Sequence, residues 1–135
     1  MYKMKIILAL VSVLLFAAGC SAEMKIKIDG VSLPVEWENN KTVNALKNLA
    51  PLTVKMSAYG GFEQVGSLGH RLPRNDSQMT TSAGDIVLYS GDNIVIFYGS
   101  NSWAYTKLGR ITGKSQAELA ELLSKSGVTL TISDD

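Results

Sequence analysis

Cysteine and histidine are almost missing from this chain of 135 residues, which holds one of each, Cys20 and His70. A single cysteine excludes an intramolecular disulfide. A domain built from this sequence must therefore be held together by its own core. A single histidine argues against a histidine-based metal site, and neither a metal nor a cofactor is expected. Charge of one sign is also missing, since 13 Lys and Arg face 12 Asp and Glu. Without a basic stripe the chain lacks the electrostatic footprint of a nucleic-acid binder. There is no internal repeat, low-complexity tract or long run of charge. Nucleophilic motifs are absent too. The serines of "GSLG" and "GSNS" do not form a G-x-S-x-G elbow. The glycines of "YGGFEQVGSLG" lack the lysine of a phosphate loop and do not make G-x-G-x-x-G. Asp76, Asp85 and Asp92 stand near turns, where aspartate usually serves the backbone.

One long apolar run is present. "IILALVSVLLFAA", Ile6 to Ala18, follows Lys3 and Lys5 and ends in "GCSAE". A basic start, an apolar centre and small residues at the end read as an export signal. The run falls short of the ~20 apolar residues that a membrane span needs. Cys20 in "AAGC" resembles the bacterial lipobox, with Ala17 standing where leucine is usual. That resemblance implies a lipid on Cys20, a mature chain that starts there, and a protein of the bacterial cell envelope held to a membrane. Ordinary secretion, with Cys20 discarded or idle, is the plain alternative. The expected organisation is a signal over residues 1–19, a tether over 20–24 and one domain over 25–135. Lys3 and Lys5 leave with the signal, so eleven basic residues face all twelve acidic ones and the mature net charge is −1. The ~115 residues that remain are enough to bury one core.

Within the domain the pattern is mainly β. "KIKI" at 25–28 alternates as a half-buried strand does. "DG" at Asp29 and Gly30 supplies a two-residue hairpin turn, and "VSLPVEW" returns, with Pro34 marking an edge or a bulge. Val43, Leu46 and Leu49 or Ala50 recur at helical spacing, with Asn40 or Thr42 near the cap and Pro51 as the stop. "LTVKMSA", 52–58, is a strand. The glycine-rich segment 59–69 reads as turns and bulges. "DIVLY" and "IVIFY" form strands covered on both faces, joined by "SGDN". "TKLGRI", 106–111, is a further strand. Ser115 and Glu118 form an S-x-x-E capping box at the start of a helix whose Leu119, Leu122 and Leu123 face inward. Gly127 suits the left-handed position that ends a helix, and "VTLTI" closes the chain. About eight short strands and two short helices favour closure into a barrel.

This order of elements resembles the cyclophilin fold. The pieces "YGGFEQVGSLGHRLPRND", "GDIVLY" and "IVIFYGSNSWAYTKLGRI" resemble, more closely, compact bacterial cyclophilin-like domains of unknown function. The resemblance spans about Met24 to Asp135. It implies a closed antiparallel barrel of about eight strands with two short helices. It also places Arg71 of "HRLP" where the cyclophilin arginine polarises a prolyl amide, and Gln78 near the place of the cyclophilin glutamine. Other parts of that machinery are missing. "RNDSQ" has no proline-holding aromatic, Tyr105 falls near the place of a later histidine, and the loop around the cyclophilin tryptophan looks shortened. Without the resemblance, Arg71 reads as a surface or barrel-end ion-pair residue. Phe97, Tyr98, Trp103 and Tyr105 are core aromatics by ordinary burial, while Trp103 and Tyr105 also lie near a loop where they would rim a groove.

Two functions of different classes follow. One is a membrane-anchored, non-enzymatic binding module whose ligand is a peptide or small molecule. The other is a reduced peptidyl-prolyl isomerase of the envelope. The missing aromatic and histidine favour the first.

Overall fold

The computed structural model describes residues 24–134. The signal, Cys20 and all but the last residue of the tether lie outside the described residues. Ten strands and two helices follow in order: β1 (Lys25–Ile28), β2 (Val31–Leu33), β3 (Val35–Trp37), α1 (Lys41–Leu49), β4 (Leu52–Tyr59), β5 (Glu63–Ser67), β6 (Ser77–Thr80), β7 (Asp85–Tyr89), β8 (Asn93–Phe97), β9 (Ser102–Ile111), α2 (Gln116–Leu123) and β10 (Gly127–Ser133).

Hydrogen-bonded strands run in the order β2-β1-β10-β4-β5-β8-β7-β9-β3, all antiparallel, with β6 on β9 to one side. The two ends of this path are consecutive in the chain. Only Pro34 separates β2, which pairs with β1, from β3, which pairs with β9. Proline has no N–H to give a ladder. Its carbonyl still accepts from Thr112 N at 3.0 Å. One strand broken at Pro34 therefore changes partners there and nearly closes the barrel. The hairpin before it turns at Asp29 and Gly30, whose φ angles of 50° and 83° are those of the two-residue turn expected from "DG".

The interior is filled by alternate residues of each strand, among them Ile26, Ile28, Val54, Met56, Ile86, Leu88, Ile94, Ile96, Leu108 and Leu130. Val43 and Leu46 of α1, and Leu119 and Leu123 of α2, add to the same core. Asn40 caps α1, its Oδ1 accepting from Val43 N at 2.8 Å while its Nδ2 donates to Lys107 O. Thr42 lies inside the helix and donates to Pro73 O. Ser115 caps α2 through the full capping box with Glu118. The Glu118 carboxyl is held below its usual range by the hydrogen bonds of Ser115.

Three expectations need correction, and one strand, β6, was not expected at all. Gly127 does not end α2. The helix closes at Ser124, and Gly127 opens β10 opposite Ser57. A Cβ there would lie 2.7 Å from Met56 O, so close backbone approach demands the glycine. The segment 59–69 is not turns alone, because it holds β5 paired to both β4 and β8. Ser77–Thr80 forms β6, a short strand without apolar alternation to announce it. "TKLGRI" is the second half of a strand that already starts at Ser102.

Candidate functional site

The strands β7 and β8 are buried on both faces, and the second face is what makes a site. Val87, Val95, Phe97 and Tyr105 turn away from the barrel interior and form a small outer core with Phe62, Val65 and Met79. Beside it the outer wall carries a groove of about 1030 Å³. Its lining includes Tyr59, Phe62, Glu63, Tyr89, Trp103 and Tyr105. The aromatic rings form a continuous chain. Tyr59 meets Phe62 edge-on at 6.3 Å, Phe62 lies parallel to Phe97 at 6.4 Å, Phe97 meets Tyr105 at 5.6 Å and Tyr105 meets Tyr89 at 6.2 Å. Edge-to-face contacts of this kind fix ring orientation as well as burying area. Trp103, at 56% exposure, stands at the rim.

Local pairing explains why these side chains converge. Glu63 begins β5 between Tyr59 of β4 and Phe97 of β8. Trp103 and Tyr105 are two apart on β9 and so share a face. Asn101, on the loop before β9, is pinned by Thr81. Thr81 N and Oγ1 both donate to Asn101 O, and Thr81 Oγ1 accepts from Asn101 N at 3.0 Å. Asn101 Nδ2 in turn donates to the Tyr105 hydroxyl at 2.7 Å. That leaves the phenolic proton of Tyr105 free to be donated elsewhere. Burial raises the Tyr105 hydroxyl above its usual range; the Asn101 hydrogen bond opposes this, and the nearby Glu63 and Tyr89 add to it.

Glu63 is the exceptional residue. It is 6% exposed. Among the described residues no donor hydrogen-bonds its carboxyl and no basic side chain lies within ion-pairing distance, so the carboxyl meets only the groove it lines. Burial without a compensating charge pushes its carboxyl up to about 7. The next residue is buried more deeply and is half satisfied. Gln64 points into the barrel, fully buried; its Nε2 donates to Leu123 O and Lys125 O at 2.8 Å, satisfying carbonyls at and just past the end of α2, while its Oε1 has no partner among the described residues.

Other polar clusters are already self-satisfied. Asp76 Oδ1 accepts from Thr106 Oγ1 at 2.6 Å, its Oδ2 accepts from Arg74, and Asn75 N donates to Thr106 Oγ1 at 2.8 Å. Burial pushes the Asp76 carboxyl up, but the bonds from Thr106 and Arg74, with the Arg74 charge, outweigh it and hold the group below its usual range. Asp85 begins β7, pairing with Arg110 Nη1 at 2.6 Å and accepting from Ser82 N at 2.8 Å. These are structural tasks: Asp85 serves the backbone at Ser82, as expected beside a turn, whereas Asp76 serves the side chains of Thr106 and Arg74. No group of three His, Cys, Asp or Glu among the described residues could hold a metal ion. No described helix is long and apolar enough to cross a membrane.

The four residues singled out from sequence do not converge. Trp103 and Tyr105 line the groove. Arg71 lies over the β7–β8 turn instead, with Nη1 3.8 Å from Asp92 Oδ2 and Nη2 3.5 Å from Ser90 O. Gln78 pairs with Ala104 on β6 and β9. The pleat sets that pair on the face opposite Met79, Trp103 and Tyr105. Glu63, Tyr59, Phe62 and Tyr89 were missed. Their signal is weak, because "GFEQVG" shows no alternation and Tyr89 ends a strand that reads as wall.

The sequence profile described as the cyclophilin-like family matches residues 26–133. No curated protein matches the chain. Among solved structures, the solution structure of a hypothetical protein from Archaeoglobus fulgidus is similar, with a TM-score of 0.63 and 17% identity over 85% of this chain and 95% of that one. At that identity the likeness speaks for the fold.

Proposed function

For a chain that belongs to the cyclophilin-like family, we propose a binding function, exercised through the aromatic groove on the outer wall of the barrel. The proposed protein is a non-enzymatic module of the bacterial envelope, held to a membrane by a lipid on Cys20. The observation that carries this reading is the composition of the groove. It gathers aromatic faces, one carboxyl and the Tyr105 hydroxyl, and it excludes Arg71 and Gln78. Shape and apolar lining with few polar groups are the marks of a ligand site. Prolyl isomerisation would need the proline held while its nitrogen is polarised, because positioning contributes much of the rate. Here Arg71 engages Ser90 and Asp92, away from the aromatic lining.

An NMR exchange assay on an X-Pro peptide tests the reading. The expected result is weak or no acceleration, unchanged in Arg71→Ala. Robust turnover that disappears in Arg71→Ala would replace the binding module with the reduced isomerase.

A further inference from the structure

We infer that the groove takes a small organic cation, an ammonium group on an apolar or aromatic body, with Glu63 as its counter-charge and the rings of Tyr59, Phe62, Tyr89 and Trp103 around it. The inference rests on reading the groove as a binding surface and names the class of ligand.

Three observations support it. The first is the unpartnered carboxyl. A buried charge is ordinarily paired, because isolating it from water costs several kcal/mol. Glu63 has neither an ion-pair partner nor a hydrogen-bond donor among the described residues, yet it faces a groove rather than the closed interior. A ligand cation supplies what the protein withholds. The second is charge complementarity. No Lys, Arg or His lines the groove, so an anionic ligand would meet the Glu63 carboxylate with no cationic side chain to offset it. Aromatic faces carry negative quadrupole density and attract cations, the more so when desolvated. The third is size. A groove of about 1030 Å³ stands near the upper end of the range for small-molecule sites, which is ~300–1,000 Å³. It therefore has room for an apolar body beyond the ammonium. The free Tyr105 proton provides a donor to orient a polar group on that body.

The titratable groups that face Glu63 are tyrosines: Tyr59 on β4, Tyr89 on β7 and Tyr105 on β9. From β8 the neighbour is Phe97. Glu63 is the one acidic or basic side chain that lines the groove, so binding should follow its ionisation. With its carboxyl at about 7, affinity for an amine that stays protonated from pH 5.5 to 8 should fall as pH drops. The ionised fraction changes about 30-fold between pH 8 and pH 5.5.

The test uses protein purified from cells expressing the full chain. Phenethylammonium and its neutral counterpart 2-phenylethanol are titrated separately, following the amide signals of Glu63 and Tyr105 and the Trp103 indole by NMR. The expected result is at least about tenfold tighter binding of the ammonium at pH 8, a preference lost at pH 5.5 and lost in Glu63→Gln. Signal dispersion shows whether that variant folds, and the wild-type pH series stands without it. Equal binding of both probes would overturn the cation inference while leaving the groove a binding surface. Binding of neither would overturn it as well. So would a lysine peptide that binds where phenethylammonium does not. Prolyl turnover, measured separately, is what would remove the binding reading itself.

Discussion

At Glu63 two demands conflict, solvation of a charge and burial of an aromatic wall. The folded state meets both by keeping the proton on longer than the unfolded chain does. Unfolded, the carboxyl titrates at its ordinary 4.5; folded, at about 7. Between those values the native state binds a proton that the unfolded state has released, so stability falls as pH rises through this window. The contribution is fully present below 4.5 and is lost above 7. We expect the loss to be on the order of 2 kcal/mol once solvent in the open groove is allowed for. Denaturation of wild type and Glu63→Gln near pH 4 and near pH 8 isolates it. The variant should match wild type at the lower pH and exceed it at the higher. An equal difference at both would show that Glu63 is already solvated or paired. Nothing in "GFEQVG" announces this residue. Burial of a glutamate is decided by which strands flank it, and β4 and β8 are 4 and 30 or more residues away in the chain. Trp103 and Tyr105 read first as core aromatics and only second as a groove rim; Tyr105 does pack in the outer core while Trp103 stands exposed, a split that two like residues on one strand face do not announce. Arg71 was legible only by motif, and motif does not say where a long side chain lies.

Elements were legible where the chemistry is local. The "DG" hairpin, the Asn40 cap and the Ser115–Glu118 box depend on residues within a few positions of one another, and all three stand. Ser115→Ala should cost about 1 kcal/mol by chemical denaturation through loss of the box; a neutral result would place the start of α2 elsewhere. β5 and β6 were not legible. Gln64 occupies an interior position that pattern reading reserves for an apolar side chain, because it serves the end of α2 across 59 residues. β6 is mostly exposed and exists because β9 is long enough to pair on two sides. Gly127 shows the same division. Its position was visible as special, but the reason is Met56 O at 2.7 Å from a built Cβ and not helix termination. Gly127→Val should therefore destabilise by about 2 kcal/mol by forcing β10 from β4. Thermal unfolding identical to wild type would contradict that account.

On the scale of the molecule, the barrel and the proposed anchor divide the work. The strand path nearly closes because β2 and β3 are one stretch broken at Pro34, which leaves few free edges and lets the domain stand without disulfides. The groove sits on the flank formed by β4, β5, β7 and β9. A lipid on Cys20 would hold that surface at a membrane, with several acyl chains needed for stable residence. Cys20→Ala should move the protein from the membrane fraction to the soluble fraction without changing its melting temperature. Equal partitioning of both forms would remove the anchor from the proposal.

The central claim is that the groove is built around a carboxyl awaiting a cation. Carbon-detected NMR titration of the Glu63 side chain, with and without saturating phenethylammonium, measures it directly. The account predicts a midpoint of about 7 in the free protein and a clear downward displacement in the bound one. A midpoint at the ordinary 4.5, unmoved by the amine, would contradict it.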